Sequence, residues 1–227
     1  MGLDVCHRDP NVGRYGLENA LLPVDTTLLE VVAPVQDGTA AGRFLDKTGG
    51  RGGYMAIFCC DDPRERQANA DRLGVRTAHV IDRPPYLGVQ LHPRDCRAAF
   101  IEFNRTDGGE DPLGPYAPAG PDWQKAIRQE RTRALVGVEM QSPDPEGLAR
   151  HWSAILGVPL QTGADGIPEI ALVNCMLRFD NGAVDALSGL VFEAADAGAI
   201  RQAAAARGYA VTADAFTIGG VDFRISS

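Results

Sequence analysis

A pattern of apolar, strand-like runs followed by capped helices recurs along the chain, and its fullest copy covers residues 134–159. An apolar run at 134–141 leads to Asp144, a residue type favoured as a helix N-cap, and to Pro145, favoured at the first helical position. Gly157 is placed to end the helix in a left-handed conformation. The residues at the spacing of one buried helix face are Leu148, Trp152, Ile155 and Leu156.

Two further copies follow the same rule, at residues 54–74 with an Asp cap at Asp62 and at residues 187–208 with a cap at Asp196. The alternative to a repeat is that these are the ordinary helix-start and helix-stop signals of an α/β protein, because Asp caps and Gly stops are common. After each Gly the pattern changes to short strands separated by turn residues, so each copy predicts a βαβββ unit. In the second unit these strands are expected at residues 75–82, 87–91 and 97–104.

The start of the chain resembles the end of such a helix, because Met1-Gly2-Leu3 matches Leu73-Gly74-Val75. Gly2 would then be the stop of an absent helix, and residues 4–8, 15–23 and 27–35 would be the strands that follow it. The sequence therefore predicts a first unit without its leading strand and helix. The side chains expected to lack cover are Val12, Leu17, Leu21, Leu28 and Val31.

Two explanations for this incomplete unit stay open. Either the sequence is a shortened form of a longer protein, or another chain supplies the cover, as a homodimer would. Further along, residues 107–133 carry many Gly and Pro residues and a short helical pattern at 122–132, which is typical of a linker. The expected fold is α+β, with one domain at residues 1–106 and a second at residues 134–227.

Composition narrows the partners that this chain can have. Its 227 residues carry 22 basic and 30 acidic side chains, and a net charge of -8 argues against nucleic acid. No apolar run approaches the roughly 20 residues that span a bilayer, so no membrane partner is expected. The five cysteines show no CxxC spacing, which indicates neither a disulfide framework nor a zinc ribbon and favours a cytoplasmic location.

Several phrases together resemble the vicinal oxygen chelate superfamily, in particular its glyoxalase-like members and the methylmalonyl-CoA epimerase branch. They are LLEVVAP at residues 28–34, LHPRDCRAAFIEFN at residues 91–104 and the Gly-rich joint at residues 48–53, in a chain of paired βαβββ units. The resemblance implies four units in two pairs, each pair curved around a cleft. It also implies a divalent metal held by a first-strand His and a last-strand Glu or Gln of each unit.

Glu30 and Glu102 match the last-strand ligand positions of that family, and they are also the candidate catalytic residues. Each stands inside an apolar run, where an ionised carboxylate is costly unless it meets a metal, a cation or a wet cleft. The first-strand positions hold no His in this sequence. They fall at Tyr54 or Met55, Gly137 and Gly189. A divalent metal at Glu30 and Glu102 stays open as a cofactor, without a complete set of ligands.

The remaining candidates for ligand binding are Asn19, Tyr54, Met55 and His79. His92 is expected to stabilise a hairpin turn through Asp95, and His151 is expected at the surface.

Two function classes stay open. The first is a glyoxalase-like isomerase, lyase or dioxygenase that acts on a small carbonyl- or acyl-bearing metabolite in a cleft of the first domain. In this class Glu102 is the base or a ligand, and Glu30 lies across the cleft. The second is a non-catalytic protein of the same fold that binds or sequesters a small molecule.

Overall fold

The computed structural model describes residues 1–226 as five α-helices, three short 3-10 helices and thirteen strands. No helix in that range is long and apolar enough to cross a bilayer. The helices are α1 (Ala40–Thr48), α2 (Pro63–Arg72), α3 (Pro93–Cys96), α4 (Pro145–Leu156) and α5 (Ala197–Ala205), with 3-10 helices at Pro10–Tyr15, Ala117–Ala119 and Trp123–Ala126. The strands are β1 (Leu17–Val24), β2 (Thr27–Pro34), β3 (Met55–Cys59), β4 (Thr77–Arg83), β5 (Tyr86–Leu91), β6 (Phe100–Thr106), β7 (Thr132–Ser142), β8 (Leu160–Thr162), β9 (Pro168–Ala171), β10 (Met176–Asn181), β11 (Ala186–Ala194), β12 (Ala215–Ile218) and β13 (Val221–Ser226).

The second and third repeats have the same βαβββ topology, which confirms the predicted α+β fold. In the second repeat, β3 pairs in parallel with β6, and the strand order is β3-β6-β5-β4. In the third repeat, β7 pairs in parallel with β10, and the order is β7-β10-β9-β8. In both repeats the other neighbours are antiparallel.

The helices of the repeats begin at the predicted Asp caps. Asp62 accepts hydrogen bonds from the backbone N of Arg64 at 2.8 Å and of Glu65 at 3.2 Å. Asp144 and Asp196 each accept one from the backbone N three residues later, at 3.0 and 2.8 Å. Each bond satisfies a donor that the first helical turn leaves without a partner.

The first and fourth repeats are shorter. Within the described residues, the first repeat is the β1–β2 hairpin, preceded by a single bridge between His7 and Leu21 and by no leading strand and helix. The two later strands expected for this unit are confirmed, whereas the strand expected at residues 4–8 is reduced to this bridge and a 3-10 helix follows it. The fourth repeat contains β11, α5, β12 and β13, with an isolated bridge between Val211 and Phe216 in place of one strand.

The chain forms two compact units, each built from non-consecutive segments. The first comprises Met1–Gly52, Asp111–Val136 and Leu190–Ser227, and the second comprises Gly53–Glu110 and Gly137–Gly189. The first unit thus combines the first and fourth repeats, and the second unit combines the second and third. This division differs from the consecutive domains predicted from the sequence, although the change at Gly52 falls in the predicted Gly-rich joint.

Trp152 of α4 lies at the centre of the core of the second unit and is fully buried. Its ring centroid is 6.4 Å from that of Phe58 on β3 and 6.2 Å from that of Phe179 on β10. Its indole Nε1 donates to the backbone O of Cys96 at 2.9 Å, which satisfies the polar group of the buried ring. The second and third repeats therefore share one aromatic core.

Helix α2 also caps the end of α4 in this unit. Arg66 Nη1 donates to the backbone O of Leu156 at 3.0 Å, and Asn69 Nδ2 donates to that of Ala154 at 2.9 Å. The last carbonyls of a helix have no partner within it, so these two side chains satisfy acceptors that would otherwise need water.

The predicted linker covers the first hairpin. Leu21 is 2% exposed and packs with Trp123, which is 3% exposed, and with Ala119. The expectation that Leu21 lacks cover was therefore wrong, because the 3-10 segment after residue 116 packs Trp123 against it. Val31 is 58% exposed, as expected of an uncovered side chain. The partly buried side chains around this cluster are Cys6, Leu28, Tyr116 and Ile127.

Candidate functional site

A row of polar side chains lies on one face of the β5–β6 hairpin in the second unit. Residues directly opposite each other on antiparallel strands project from the same face. Gln90 lies opposite Glu102, and Gly88 lies opposite Asn104. On the other face of β6, Ile101 and Phe103 are buried in the apolar core. Strand alternation therefore separates the polar row from the core.

Glu102 is the central residue of this face and is only 3% exposed. Tyr86 Oη donates a hydrogen bond to Glu102 Oε1, and Gln90 Nε2 donates to Oε2 at 2.7 Å. An ionised carboxylate is costly to bury without partners, and these two bonds offset part of that cost. Both partners are neutral, so the negative charge of Glu102 is solvated by them without being cancelled.

Gly88 leaves the space through which Tyr86 reaches Glu102. A Cβ at this position would lie 2.9 Å from Tyr86 Cε1 and 3.1 Å from Glu102 Oε1. Real Cβ atoms essentially never approach a ring carbon so closely, so a larger residue would displace the ring. The absence of a side chain at residue 88 therefore maintains the contact between the phenol and the carboxylate.

Strand β3 forms the neighbouring part of the same face. In the parallel pairing with β6, Ile57 aligns with Glu102 and Cys59 aligns with Asn104. Ile57 is 38% exposed and Cys59 is also exposed, so solvent reaches the face at this strand. An apolar side chain and a thiol therefore stand next to the buried carboxylate where a ligand could approach.

The thiol of Cys59 is hydrogen-bonded within this face. Its Sγ donates to Asn104 Oδ1 at 3.2 Å. Although the residue as a whole is exposed, its sulfur is largely enclosed by protein, and this burial and, to a smaller degree, the negative charge of Glu102 raise the pKa of Cys59 above the ordinary value for a thiol. A neutral thiol is a weak hydrogen-bond donor and a poor nucleophile.

The other second-unit candidates lie on the strands beside this face. His79 on β4 is exposed and lies opposite Gln90, so that His79, Gln90 and Glu102 follow one another across three strands. Tyr54 packs its ring 4.9 Å from that of Phe100, and Met55 aligns with Phe100 on β6. Met55 is therefore one same-face position from Ile57, which aligns with Glu102, and Tyr54 lies just before the start of β3.

Glu30 and Asn19 belong to the first unit and are brought together there. Asn19 Nδ2 donates to Glu30 Oε1 at 2.7 Å, and Asn19 Oδ1 accepts from the backbone N of Asp9 at 2.8 Å. Asn19 is buried, whereas Glu30 is exposed. Glu102 belongs to the second unit. The idea of one cleft shared by Glu30 and Glu102 stays a prediction.

Two expectations about histidines need correction. The turn at His92 is the short helix α3, in which His92 Nδ1 accepts from the backbone N of Arg94 at 3.3 Å and acts as its N-cap. Asp95 is engaged by Arg76, with Nε to Oδ2 at 2.7 Å, and that contact holds the pKa of Asp95 well below its usual range. His151 is half-buried, with Nε2 2.6 Å from the backbone O of Asp95.

The residues around the two candidate carboxylates do not fit the divalent metal that the resemblance implies. Within residues 1–226, no group of three or more His, Cys, Asp or Glu side chains is arranged to hold a metal ion. Each oxygen of Glu102 accepts one hydrogen bond, from a phenol and from an amide N–H. Among the described residues, Glu30 and Glu102 therefore lack the further protein ligands that would complete a metal site.

Tyr86, Gly88 and Gln90 are functional candidates that the sequence pattern alone does not single out. A signal was present, because these residues alternate with Leu87 and Val89 in the segment YLGVQ and so share one strand face. Without the pairing register, that face could not be matched to Glu102.

An open depression of about 440 Å³ lies elsewhere, in the first unit. Its basic side chains are already paired, Lys125 with Asp122 and Arg128 with Asp4, both at 2.8 Å. It contains none of the predicted site residues and is the weaker candidate. Its lining is Asp4, Val5, Cys6, Asp122, Lys125, Ala126 and Arg128.

No protein-family model and no curated protein matches the chain, but solved structures do. A hypothetical protein from Staphylococcus aureus aligns over 99% of this chain and 88% of its own, with 12% identity and a TM-score of 0.66. The Mn(II)-bound glyoxalase from Novosphingobium aromaticivorans aligns over 99% and 73%, with 12% identity and a TM-score of 0.61. This chain has the vicinal oxygen chelate fold.

A variant of 4-hydroxymandelate synthase from Streptomyces coelicolor aligns over 92% of this chain and 67% of its own, with 12% identity and a TM-score of 0.58. Alignments of such length show that the vicinal oxygen chelate fold extends through all four repeats. At 12% identity they establish the fold, and the chemistry has to be argued from the side chains of this chain.

Proposed function

We propose that this glyoxalase-like protein acts on a small carbonyl- or acyl-bearing metabolite at the Glu102 face of the second unit. The observation that carries the proposal is a buried carboxylate held by two neutral donors, on a face that solvent reaches at Ile57 and Cys59. A carboxylate placed beside an accessible surface is a candidate to move a proton to or from a bound molecule.

The arrangement supports proton transfer next to a carbonyl group. A carboxylate with neutral partners keeps its charge available for a proton, and a carbon next to a carbonyl or thioester carries the proton that such a base removes. Ile57 and Met55 supply apolar surface for the rest of an acyl chain, and His79 stands at the far side of the polar row. In this proposal Glu102 is the base, and an isomerase or lyase reaction follows.

Glu30 is the second proposed carboxylate, with Asn19 as its positioning partner. Its exposure and its bond to a buried, backbone-anchored amide support a role in contacting a ligand at the first unit. Its contribution is proposed to be smaller than that of Glu102, because the apolar cluster of Leu21 and Trp123 occupies the same hairpin.

A non-catalytic binding or sequestering function is the second candidate. The observation that favours it is that both Glu102 oxygens already accept hydrogen bonds and that no first-strand His is present. A protein of this kind would bind the metabolite without turning it over.

One experiment separates the two functions. Wild type, Glu102→Gln and Glu30→Gln are incubated in D2O with pyruvate, dihydroxyacetone and the N-acetylcysteamine thioester of propionate, and exchange of the protons next to the carbonyl is followed by 1H NMR. Exchange by wild type that Glu102→Gln loses supports the enzyme. Binding measured by calorimetry without exchange supports the sequestering function. Stoichiometric metal in the purified protein would contradict the proposed chemistry at Glu102.

A further inference from the structure

We propose that Tyr86 is a catalytic residue of the Glu102 site, where its hydroxyl donates to the carbonyl oxygen of the substrate as negative charge develops there. The inference rests on the proposed function of Glu102 as a base. It adds the group that stabilises the enolate, which the carboxylate alone cannot do. In this chain a phenol would stabilise the enolate, as a metal ion does in metal-dependent enzymes.

The geometry assigns different tasks to the two donors on Glu102. Gln90 lies directly opposite Glu102 in the strand register, so its amide holds the carboxylate in place from the neighbouring strand. Tyr86 lies opposite Thr106, four residues along β6 from Glu102, and reaches Glu102 only because its ring lies over Gly88. Tyr86 is half-buried and approaches the carboxylate over the open space at residue 88. It can therefore change its acceptor without breaking a strand pairing.

The chemistry also separates the two donors. A phenol is a weak acid with an ordinary pKa of about 10. The hydrogen bond that it donates therefore becomes stronger as negative charge builds up on the accepting oxygen. An amide N–H has no comparable acidity. A hydrogen-bond donor placed where charge develops makes one of the larger contributions to catalysis. Removing such a donor lowers the rate on the order of 10²-fold or more.

The proposed step balances without a redox partner. Glu102 takes the proton from the carbon next to the carbonyl, the C–H electron pair forms the C=C bond of the enolate, and the carbonyl π pair moves to oxygen. That oxygen accepts the hydrogen bond of Tyr86, which leaves Glu102 as the carboxylate receives its proton. Return of a proton, or of a deuteron from D2O, from Glu102 to carbon completes the exchange.

The test uses full-length wild type and the variants Tyr86→Phe, Glu102→Gln and Gly88→Ala, with pyruvate as substrate and oxalate as a planar analogue of its enolate. Tyr86→Phe keeps the ring and removes only the hydroxyl. We expect its proton exchange to fall about 10²-fold, and its oxalate affinity to fall at least about tenfold while its pyruvate affinity changes far less, because the donor serves the developing charge. Gly88→Ala displaces the ring and should give the same pattern to a smaller degree.

The outcomes are distinguishable. Wild-type exchange that Glu102→Gln abolishes and Tyr86→Phe leaves within about twofold of wild type would keep the proposed function and overturn the role of Tyr86. Equal loss of oxalate and pyruvate affinity in a folded Tyr86→Phe variant would also overturn it, because that pattern belongs to a residue that only shapes the site. Absence of exchange by wild type with pyruvate, dihydroxyacetone and the propionate thioester would overturn both proposals.

Discussion

The β1–β2 hairpin of the first unit and the β5–β6 hairpin of the second unit carry a glutamate at the corresponding place and surround it in opposite ways. Glu102 lies opposite Gln90, and Glu30 lies opposite Leu21. Around Glu102 the face is polar and open to solvent at β3. Around Glu30 the opposite residue is buried under Trp123.

The comparison shows that one backbone arrangement can carry either a row of polar side chains or an apolar packing surface. Which of the two surfaces forms depends on a few alternating positions in the first strand of each hairpin. Tyr86, Gly88 and Gln90 present donors and space in the second hairpin. Leu17 and Leu21 take the places of Tyr86 and Gln90 in the first. Trp123 packs on Leu21 there, while Glu30 opposite Leu21 stays exposed.

Trp123→Ala should have the largest effect on this comparison. The side chain is almost fully buried against Leu21, and truncating such a residue costs about 3–5 kcal/mol of the free energy of unfolding. Amide hydrogen exchange measured by mass spectrometry should accelerate in β1 and β2 and stay unchanged in β5 and β6. Trp123→Phe, which keeps most of the apolar volume, is the matched control. Unchanged protection of β1 and β2 in Trp123→Ala would show that the cover is not what stabilises the first hairpin.

Exchanging the two opposite residues should have the next largest effect. Leu21→Gln places an amide among apolar side chains and should cost about 1–3 kcal/mol of the free energy of unfolding. Gln90→Leu removes the donor to Glu102 Oε2 and should cost about 1–2 kcal/mol, measured by urea denaturation.

The double variant Gln90→Leu with Glu102→Leu controls for this effect. If the cost of Gln90→Leu comes from an unsatisfied carboxylate, the double variant should recover part of it, because no buried acceptor is left without a donor. A double variant less stable than the sum of the two single variants would contradict that explanation.

The smallest predicted effect concerns the pH dependence of thiol alkylation. The pKa of Cys59 is raised, mainly by burial and partly by Glu102, so little thiolate is present at pH 8 and iodoacetamide should react slowly there. Glu102→Gln removes the second cause, lowers the pKa of Cys59 and should increase its alkylation rate at pH 8 a few-fold. Peptide mass spectrometry resolves the individual cysteines.

Cys6 is the control in the first unit, because burial raises its pKa and Glu102 does not contribute. Its alkylation rate should be the same in wild type and in Glu102→Gln. A parallel increase of the alkylation rates at Cys6 and Cys59 would indicate a general loosening of the protein. It would contradict the expectation that the charge of Glu102 raises the pKa of Cys59.

Local signals predicted much of this fold. Asp62, Asp144 and Asp196 are helix N-caps as expected, because a capping interaction involves residues three apart and is visible in the sequence. The repeat of this signal was enough to predict the βαβββ units. Which repeats combine into one compact unit was not visible, since no local rule specifies partners that are a hundred residues apart.

The site was harder to predict for the same reason. Glu102 was found because a carboxylate inside an apolar run is unusual, whereas Tyr86 is an ordinary strand residue until the register places it beside Glu102. The sequence places Trp123 in a linker, because the segment before it has no periodicity that would predict its packing on Leu21.

The caps that Arg66 and Asn69 place on α4 have a consequence for the history of the repeats. A repeat that arises by duplication begins as a copy able to change on its own, but here the last turn of one copy is completed by side chains of the other. Substitution at either position would leave backbone carbonyls of α4 without hydrogen-bond donors. A mutation in the second repeat is therefore selected partly by its effect on the stability of the third. The two copies are therefore expected to have diverged in sequence as a coupled pair.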